Sequence, residues 1–125
     1  MFQNLPLNSC VSKEIHNWAG HLGEKKQGKK YTFCSFPWNT MIIYWDDSVL
    51  PCTQDFFGAN IVGNVKTDKL ETIWNNEAMA GLRKKLAHGK IGELKACSNC
   101  DRVWREAFLG VPKEHLWKFL TKKMP

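Results

Sequence analysis

Four cysteines constrain this chain more than any other feature of it. Two of them, Cys97 and Cys100, stand in the string KACSNCDR with two residues between them. Such a knuckle aims two thiolates at one metal centre but fills only half of a four-coordinate site. A distant stretch, YTFCSFPWNTMIIYWDDSVLPC, is rich in aromatic and β-branched residues and is interrupted by Asp46-Asp47-Ser48. That pattern predicts a β-hairpin with strands at about 39–45 and 48–52. An antiparallel pair returns the chain to its starting end. Cys34 and Cys52, 17 residues apart in between, can therefore meet in space and supply the missing half.

The rest of the composition agrees with a metal or cluster role for these thiols. At 125 residues the chain is long enough for one core and too short for two. Six Trp, seven Phe and a hydrophobic share of 43% are globular, and no run is long enough to span a membrane. The start, MFQNLPLNSC, lacks a basic stretch followed by an apolar one, which predicts a cytoplasmic protein. In a reducing compartment five cysteines, an odd number, read as ligands before disulfides. The net charge of +6 invites a nucleic-acid reading. Against it, the basic residues are scattered, and the densest cluster, EKKQGKK at 24–30, has no aromatic residue on which a base could stack. A solvated loop fits that cluster better; docking to an acidic protein surface and weak phosphate binding are the other uses open to it.

Along the chain, Ile15, Trp18, Ala19 and Leu22 share one helical face behind Ser12 and ahead of Gly23, predicting a helix over 12–22. The stretch QDFFGANIVGNV reads as an irregular loop with room for a short strand. Asp68 and Glu71 have the spacing of a capping box ahead of a helix whose apolar face is Leu70, Ile73 and Trp74. Asn75-Asn76 breaks that helix and can cap a second, with Met79, Leu82 and Leu86 as its buried face and Gly89 as its stop. Beyond the knuckle, Val103, Trp104, Ala107 and Phe108 continue a helical face to Gly110. Pro112 then opens a last helix with Leu116, Trp117, Phe119 and Leu120. Trp74, Trp104 and Trp117 fall at helix-core spacing. The fold class is α+β: a small domain in which a β-hairpin is packed by several short helices around a four-cysteine site.

Two occupants suit Cys34, Cys52, Cys97 and Cys100. One is structural zinc with four sulfurs; the other is a four-iron cluster in which each iron takes one thiolate. Zinc ribbons usually present two close knuckles, and only one is present here, which favours the cluster. The bland alternative is that Cys34 and Cys52 are merely small buried hydrophobes.

The string CSFPWNTMIIYWDDSVLPCTQDF, followed by VGNV, LETIWNN, LRKKL and CSNC, resembles the SPASM domain from about residue 32 to residue 102. This is the auxiliary iron–sulfur domain at the carboxyl end of many radical S-adenosylmethionine enzymes. The resemblance implies an auxiliary [4Fe-4S] cluster bound by Cys34, Cys52, Cys97 and Cys100. It also implies a three-part chain: an N-terminal helix and basic linker at 1–31, the cluster-binding domain at 32–102, and a helical extension at 103–125. The partner it implies is a radical S-adenosylmethionine catalytic domain, with the last helix docking on it and a peptide or small molecule as substrate. Electron relay or substrate positioning would be the cluster's task.

Three departures from the family pattern stand out. Asp47 occupies a hairpin-turn position where family members commonly carry glycine; Asp tolerates a left-handed backbone better than most residues. No cysteine follows the knuckle, so a second auxiliary cluster is not expected. Thr53 stands where some members place an aspartate as proton acceptor, and Asp55 is a weak substitute. The chain also lacks the CxxxCxxC run that holds the S-adenosylmethionine-binding cluster, so it is expected to have no active site of its own and to serve an oxidoreductase or maturase as an accessory domain. The competing class is a zinc-stabilised module that contacts nucleic acid or protein. Cys10 reads as a free thiol, since four thiolates saturate either occupant. His16 and His21, in HNWAGH, read as ordinary polar residues, and His88 and His115 as helix-end residues.

Overall fold

The computed structural model describes residues 15–22 and 31–108, with residues 6, 111, 112, 116 and 120 in addition. Its sheet has three antiparallel strands in the order β1-β2-β3: β1 (Ile42–Ile43), β2 (Ser48–Leu50) and β3 (Gly63–Asn64). Ile42 pairs with Leu50 and Ile43 with Val49; on the other edge of β2, Ser48 pairs with Asn64 and Val49 with Gly63. The predicted hairpin is present with shorter ladders. Residue 39 belongs instead to α1 (Phe36–Asn39), a one-turn helix with Pro37 in its first turn, where a missing N–H costs nothing. Asp47 sits in the hairpin turn at a φ of 68°, the left-handed conformation expected of it. The turn is held by the Tyr44 N–H on Ser48 O at 2.9 Å and the Ser48 N–H on Asp46 Oδ1 at 3.1 Å. Lys66 Nζ closes on Asp47 Oδ2 at 2.6 Å.

Two helices lie over this sheet, α2 (Leu70–Asn75) and α3 (Glu77–Ala87). Asn76 separates and caps them as predicted: its Oδ1 accepts the Met79 N–H at 2.8 Å while its Nδ2 donates to Val62 O at 2.7 Å. Met79, Leu82 and Leu86 are buried and join Val49, Ile73 and Val103 in one apolar cluster. The sheet and α2 approach so closely that a Cβ at Gly63 would lie 2.9 Å from Ile73 Cγ1 and Cγ2. No side chain fits there.

Three expected elements are corrected. The capping box does not form: α2 starts at Leu70 behind Lys69 with no side-chain cap, because Asp68 is drawn into the turn leaving β3. Its carboxylate accepts the Thr67 hydroxyl at 2.8 Å and its N–H donates to Asn64 O at 3.1 Å. Leu70 is largely exposed, so Ile73 carries that face. The described part of the expected 12–22 helix is a 3-10 turn over Trp18–Gly20, in which Trp18, Ala19 and Gly20 all have positive φ (47°, 59° and 93°). A right-handed α-helix cannot contain them. Ala19 is buried, whereas Ile15 and Leu22 of the predicted face are exposed.

Beyond the knuckle the expected helix is replaced by a 3-10 turn over Asp101–Trp104 and a small hairpin. Its strands are β4 (Ala107–Phe108) and β5 (Val111–Pro112), so Pro112 closes a strand rather than opening a helix. The physical reason is that backbone acceptors there are used across the chain: Thr32 donates its N–H to Val103 O at 2.7 Å and its hydroxyl to Arg105 O. Leu116 and Leu120 are helical in conformation. The loop at 24–30, Cys10, His115, Trp117 and Phe119 lie outside the described residues. Among the described residues no helix is long and apolar enough to cross a membrane.

Candidate metal centre

Cys34 lies in the extended segment before α1, Cys52 lies two residues beyond β2, and Cys97 and Cys100 lie in the turns between a 3-10 turn at Ile91–Glu93 and that at Asp101–Trp104. Hydrogen bonds shape the knuckle: the Cys97 N–H donates to Leu94 O at 3.0 Å and the Cys100 N–H to Cys97 O at 3.2 Å. All four are free thiols and line one recess, with Ala19, Pro37, Pro51, Leu82, Leu86 and Val103 among its walls. Among the described residues no group of three or more His, Cys, Asp or Glu is placed to hold a single metal ion.

Burial raises the pKa of every one of these thiols, because a thiolate in apolar surroundings loses its hydration. Cys52 is pushed from 9.0 to about 11 by burial, with Cys34 and Cys100 adding like charge. Cys97 rises further still, first through burial and then through Cys100, Cys34 and Cys52. Burial also raises Cys34 and Cys100, where Arg102 pulls the other way. The mutual repulsion of four nearby thiolates is the electrostatic problem that a cationic occupant solves.

The backbone is already arranged for such an occupant. The Gln54 N–H donates to Cys52 Sγ at 3.3 Å. In the same i+2 relation, the Phe36 amide favours the thiolate of Cys34 and the Arg102 amide that of Cys100. Asn60 Nδ2 lies 3.9 Å from Cys97 Sγ. Donors aimed at ligand sulfurs spread the charge of a thiolate-held centre and tune it. The donor set therefore fits a thiolate-ligated metal cluster.

Asp55 does not act as a free base. It is 1% exposed, and its two carboxylate oxygens accept the N–H groups of Ala59 and Asn60 at 2.8 and 2.7 Å. The Tyr44 hydroxyl donates to its carbonyl at 2.6 Å. Its work is to fold the loop that presents Asn60 to Cys97.

The sequence held no local signal for Asn17, which is 5% exposed and ties the N-terminal segment to the knuckle. Its N–H donates to Asp101 Oδ2 at 3.1 Å, its Nδ2 to Asn99 O at 2.7 Å, and its Oδ1 accepts the Asp101 N–H at 3.1 Å. Ala19 packs with Ala96 and Cys100. A Cβ on Gly20 would sit 2.5 Å from Asn99 Cβ, so glycine is required by space as well as by backbone. His16 lies within 3.1 Å of the guanidinium nitrogens of Arg102 and Arg105, and burial followed by those two charges lowers its pKa. His21 packs edge-on against Phe57 at 4.3 Å, and His88 ends α3 with its Nδ1 2.8 Å from Lys84 O.

The chain is similar to known proteins. The chain is 31% identical over 90 residues to the S-adenosyl-L-methionine-dependent 2-deoxy-scyllo-inosamine dehydrogenase of Niallia circulans, a match spanning 71% of this chain and 36% of that protein. It is similar to the crystal structure of BtrN in complex with AdoMet and 2-DOIA, with a TM-score of 0.58, 28% identity, and coverage of 69% of this chain and 34% of that one. BtrN in an open conformation gives a TM-score of 0.52 at 32% identity, over 54% of this chain and 32% of that one. This chain thus spans about a third of the length of the relatives it matches. The family model of the SPASM iron–sulfur cluster-binding domain matches residues 34–101, more than half of the chain. With four thiols on one recess and the matched segment running from the first of them to just past the last, the chain belongs to the SPASM family, the iron–sulfur cluster-binding domains that radical S-adenosylmethionine enzymes carry beside their catalytic part.

Proposed function

We propose that Cys34, Cys52, Cys97 and Cys100 are the four ligands of one [4Fe-4S] cluster, and that residues 32–102 serve a radical S-adenosylmethionine catalytic domain as its auxiliary cluster unit. The observation that carries this reading is the shared recess: thiols from two distant stretches line it and feel one another's charge, inside a segment that matches an iron–sulfur cluster-binding family. Zinc draws four sulfurs to about 2.3 Å of one centre. A four-iron cluster instead offers each cysteine its own iron and spans the space between them. When bound, such a cluster supplies a site that accepts or returns one electron.

The chain's own residues do the rest. The thiolates hold the cluster; the amides of Phe36, Gln54 and Arg102 support three of the sulfurs; Leu82, Leu86, Pro37 and Pro51 keep water from it. A fully thiolate-ligated cluster leaves no iron open to a substrate, which favours electron relay over direct substrate binding. Likeness to a 2-deoxy-scyllo-inosamine dehydrogenase favours a small-molecule substrate over a peptide, and it favours electron relay because removing hydrogen through a radical leaves one electron to be collected. In this reading residues 1–31 and 103–125 are the flanking segments of the unit.

The test is metal analysis of the full chain purified without oxygen. Brown protein with iron and acid-labile sulfide, lost on Cys34→Ser or Cys97→Ser, is the expected result. Colourless protein with stoichiometric zinc under those conditions would defeat the proposal and leave a zinc-stabilised binding module.

A further inference from the structure

We propose that Arg102 sets the reduction potential of the cluster, holding it above the value that four thiolates alone would impose. This inference rests on the ligand reading above. Arg102 lines the same recess as the four thiols, and its positive charge favours the thiolates of both Cys34 and Cys100. The guanidinium is fixed at that place. It lies over the Phe36 ring at 4.8 Å from the centroid, and its NH2 group meets His16 Nε2 at 3.1 Å. Its Nε is buried and has no hydrogen-bond partner among the described residues. A buried guanidinium N–H left unpaired is costly, and the thiolates and sulfides of a cluster are acceptors that would satisfy it.

Asp101 opposes Arg102 at Cys100, where its negative charge disfavours the thiolate more than Arg102 favours it, whereas at Cys34 the neighbouring charges that act are the cations Arg102 and Arg105. Asp101 Oδ2 accepts the Asn17 N–H at 3.1 Å and lies 3.7 Å from His16 Nδ1. Arg105 adds a second positive charge that favours the Cys34 thiolate, but of the two it is Arg102 that lines the recess. A thiolate-held cluster gains one negative charge on accepting an electron. A fixed cation beside it stabilises the reduced form more than the oxidised one, and the low dielectric of the recess strengthens the effect. Arg102 is thus a positioning residue for charge rather than a ligand.

The experiment is a redox titration of the full 125-residue chain, reconstituted anaerobically and read by the electron paramagnetic resonance signal of the reduced cluster. Arg102→Gln should bind as much iron and sulfide as the parent, while the ratio of reduced to oxidised cluster at a fixed potential falls at least tenfold, about 59 mV for one electron. Arg102→Lys, which keeps the charge, should stay within about threefold of the parent. Lys84→Gln, which removes the same charge from the exposed side of α3, should shift the ratio by less than about twofold, as a solvent-screened charge does. Equal potentials for the parent and Arg102→Gln would overturn the proposal, as would a Lys84→Gln shift as large as that of Arg102→Gln. If Arg102→Gln loses its cluster, Arg102→Lys decides: a fall of tenfold or more despite the retained charge overturns the proposal. A parent chain that takes up no iron would instead sink the ligand reading itself.

Discussion

Two parts of the apolar cluster served by helix α3 are stabilised on different terms. On one side, Val49, Ile73, Met79 and their neighbours form an apolar cluster closed by direct contact, with Gly63 stripped to hydrogen to let the sheet and α2 meet. On the other, Leu82 and Leu86, members of the same cluster, also line the recess of four thiols whose ionised forms repel one another. The first region needs nothing from outside the chain. In the second, burial that strengthens apolar packing penalises thiolates, so the thiols keep their protons unless a cationic occupant offsets that cost. One helix therefore serves both a purely apolar core and a recess lined by titratable thiols.

The sharpest way to break this contrast is Cys100→Ser. Because site formation is coupled to folding, it should abolish most iron binding and much of the cooperative unfolding of the holo-protein, measured by iron content and by circular dichroism on heating. Cys10→Ser, outside the matched segment, should leave both intact. Next in size, Ile73→Ala should cost about 2–5 kcal/mol of stability in denaturant titrations while iron content per folded molecule stays unchanged. A loss of iron in proportion would show that the two regions are not separable.

Asn17→Ala should cost about 1–3 kcal/mol, since it leaves Asn99 O and the Asp101 N–H without partners next to the knuckle. Here the cluster should also become more accessible, read as faster bleaching by a chelator. The smallest effect is on the metal-free chain. Its folded state holds the Cys52 proton more tightly than the unfolded state does, so that contribution is full below pH 9.0 and is lost as the pH rises toward about 11. Urea midpoints of the metal-free protein should fall across that window, and those of the cluster-loaded protein should not.

What could be read in advance followed local chemistry. Asn76 as a cap, Met79, Leu82 and Leu86 as a buried face, and Asp47 in a left-handed turn each depend on residues a few positions away. What failed depended on distant partners. Asp68 and Glu71 have capping-box spacing, but Asn64 and Thr67 claim Asp68 first. Ile15, Trp18, Ala19 and Leu22 have helical spacing, but Asn17 bonded to Asn99 and Asp101 pulls the backbone into a turn with positive φ. The stretch after Trp104 has apolar spacing for a helix, but Thr32 takes the carbonyls of Val103 and Arg105.

The amino-acid sequence alone determined the donor chemistry and the order in which it is delivered: a hairpin between two cysteines, a capped helix, and a knuckle. Covalent spacing and short-range hydrogen bonding suffice for that. Tertiary structure alone decided that Asn17 clamps the knuckle, that Asp55 is spent on the loop holding Asn60, and that Arg102 borders the thiols. Those outcomes depend on contacts such as that between Asn17 and Asp101, 84 positions apart, where the energy of a hydrogen bond or a charge is set by the three-dimensional neighbourhood and leaves no periodic trace along the chain.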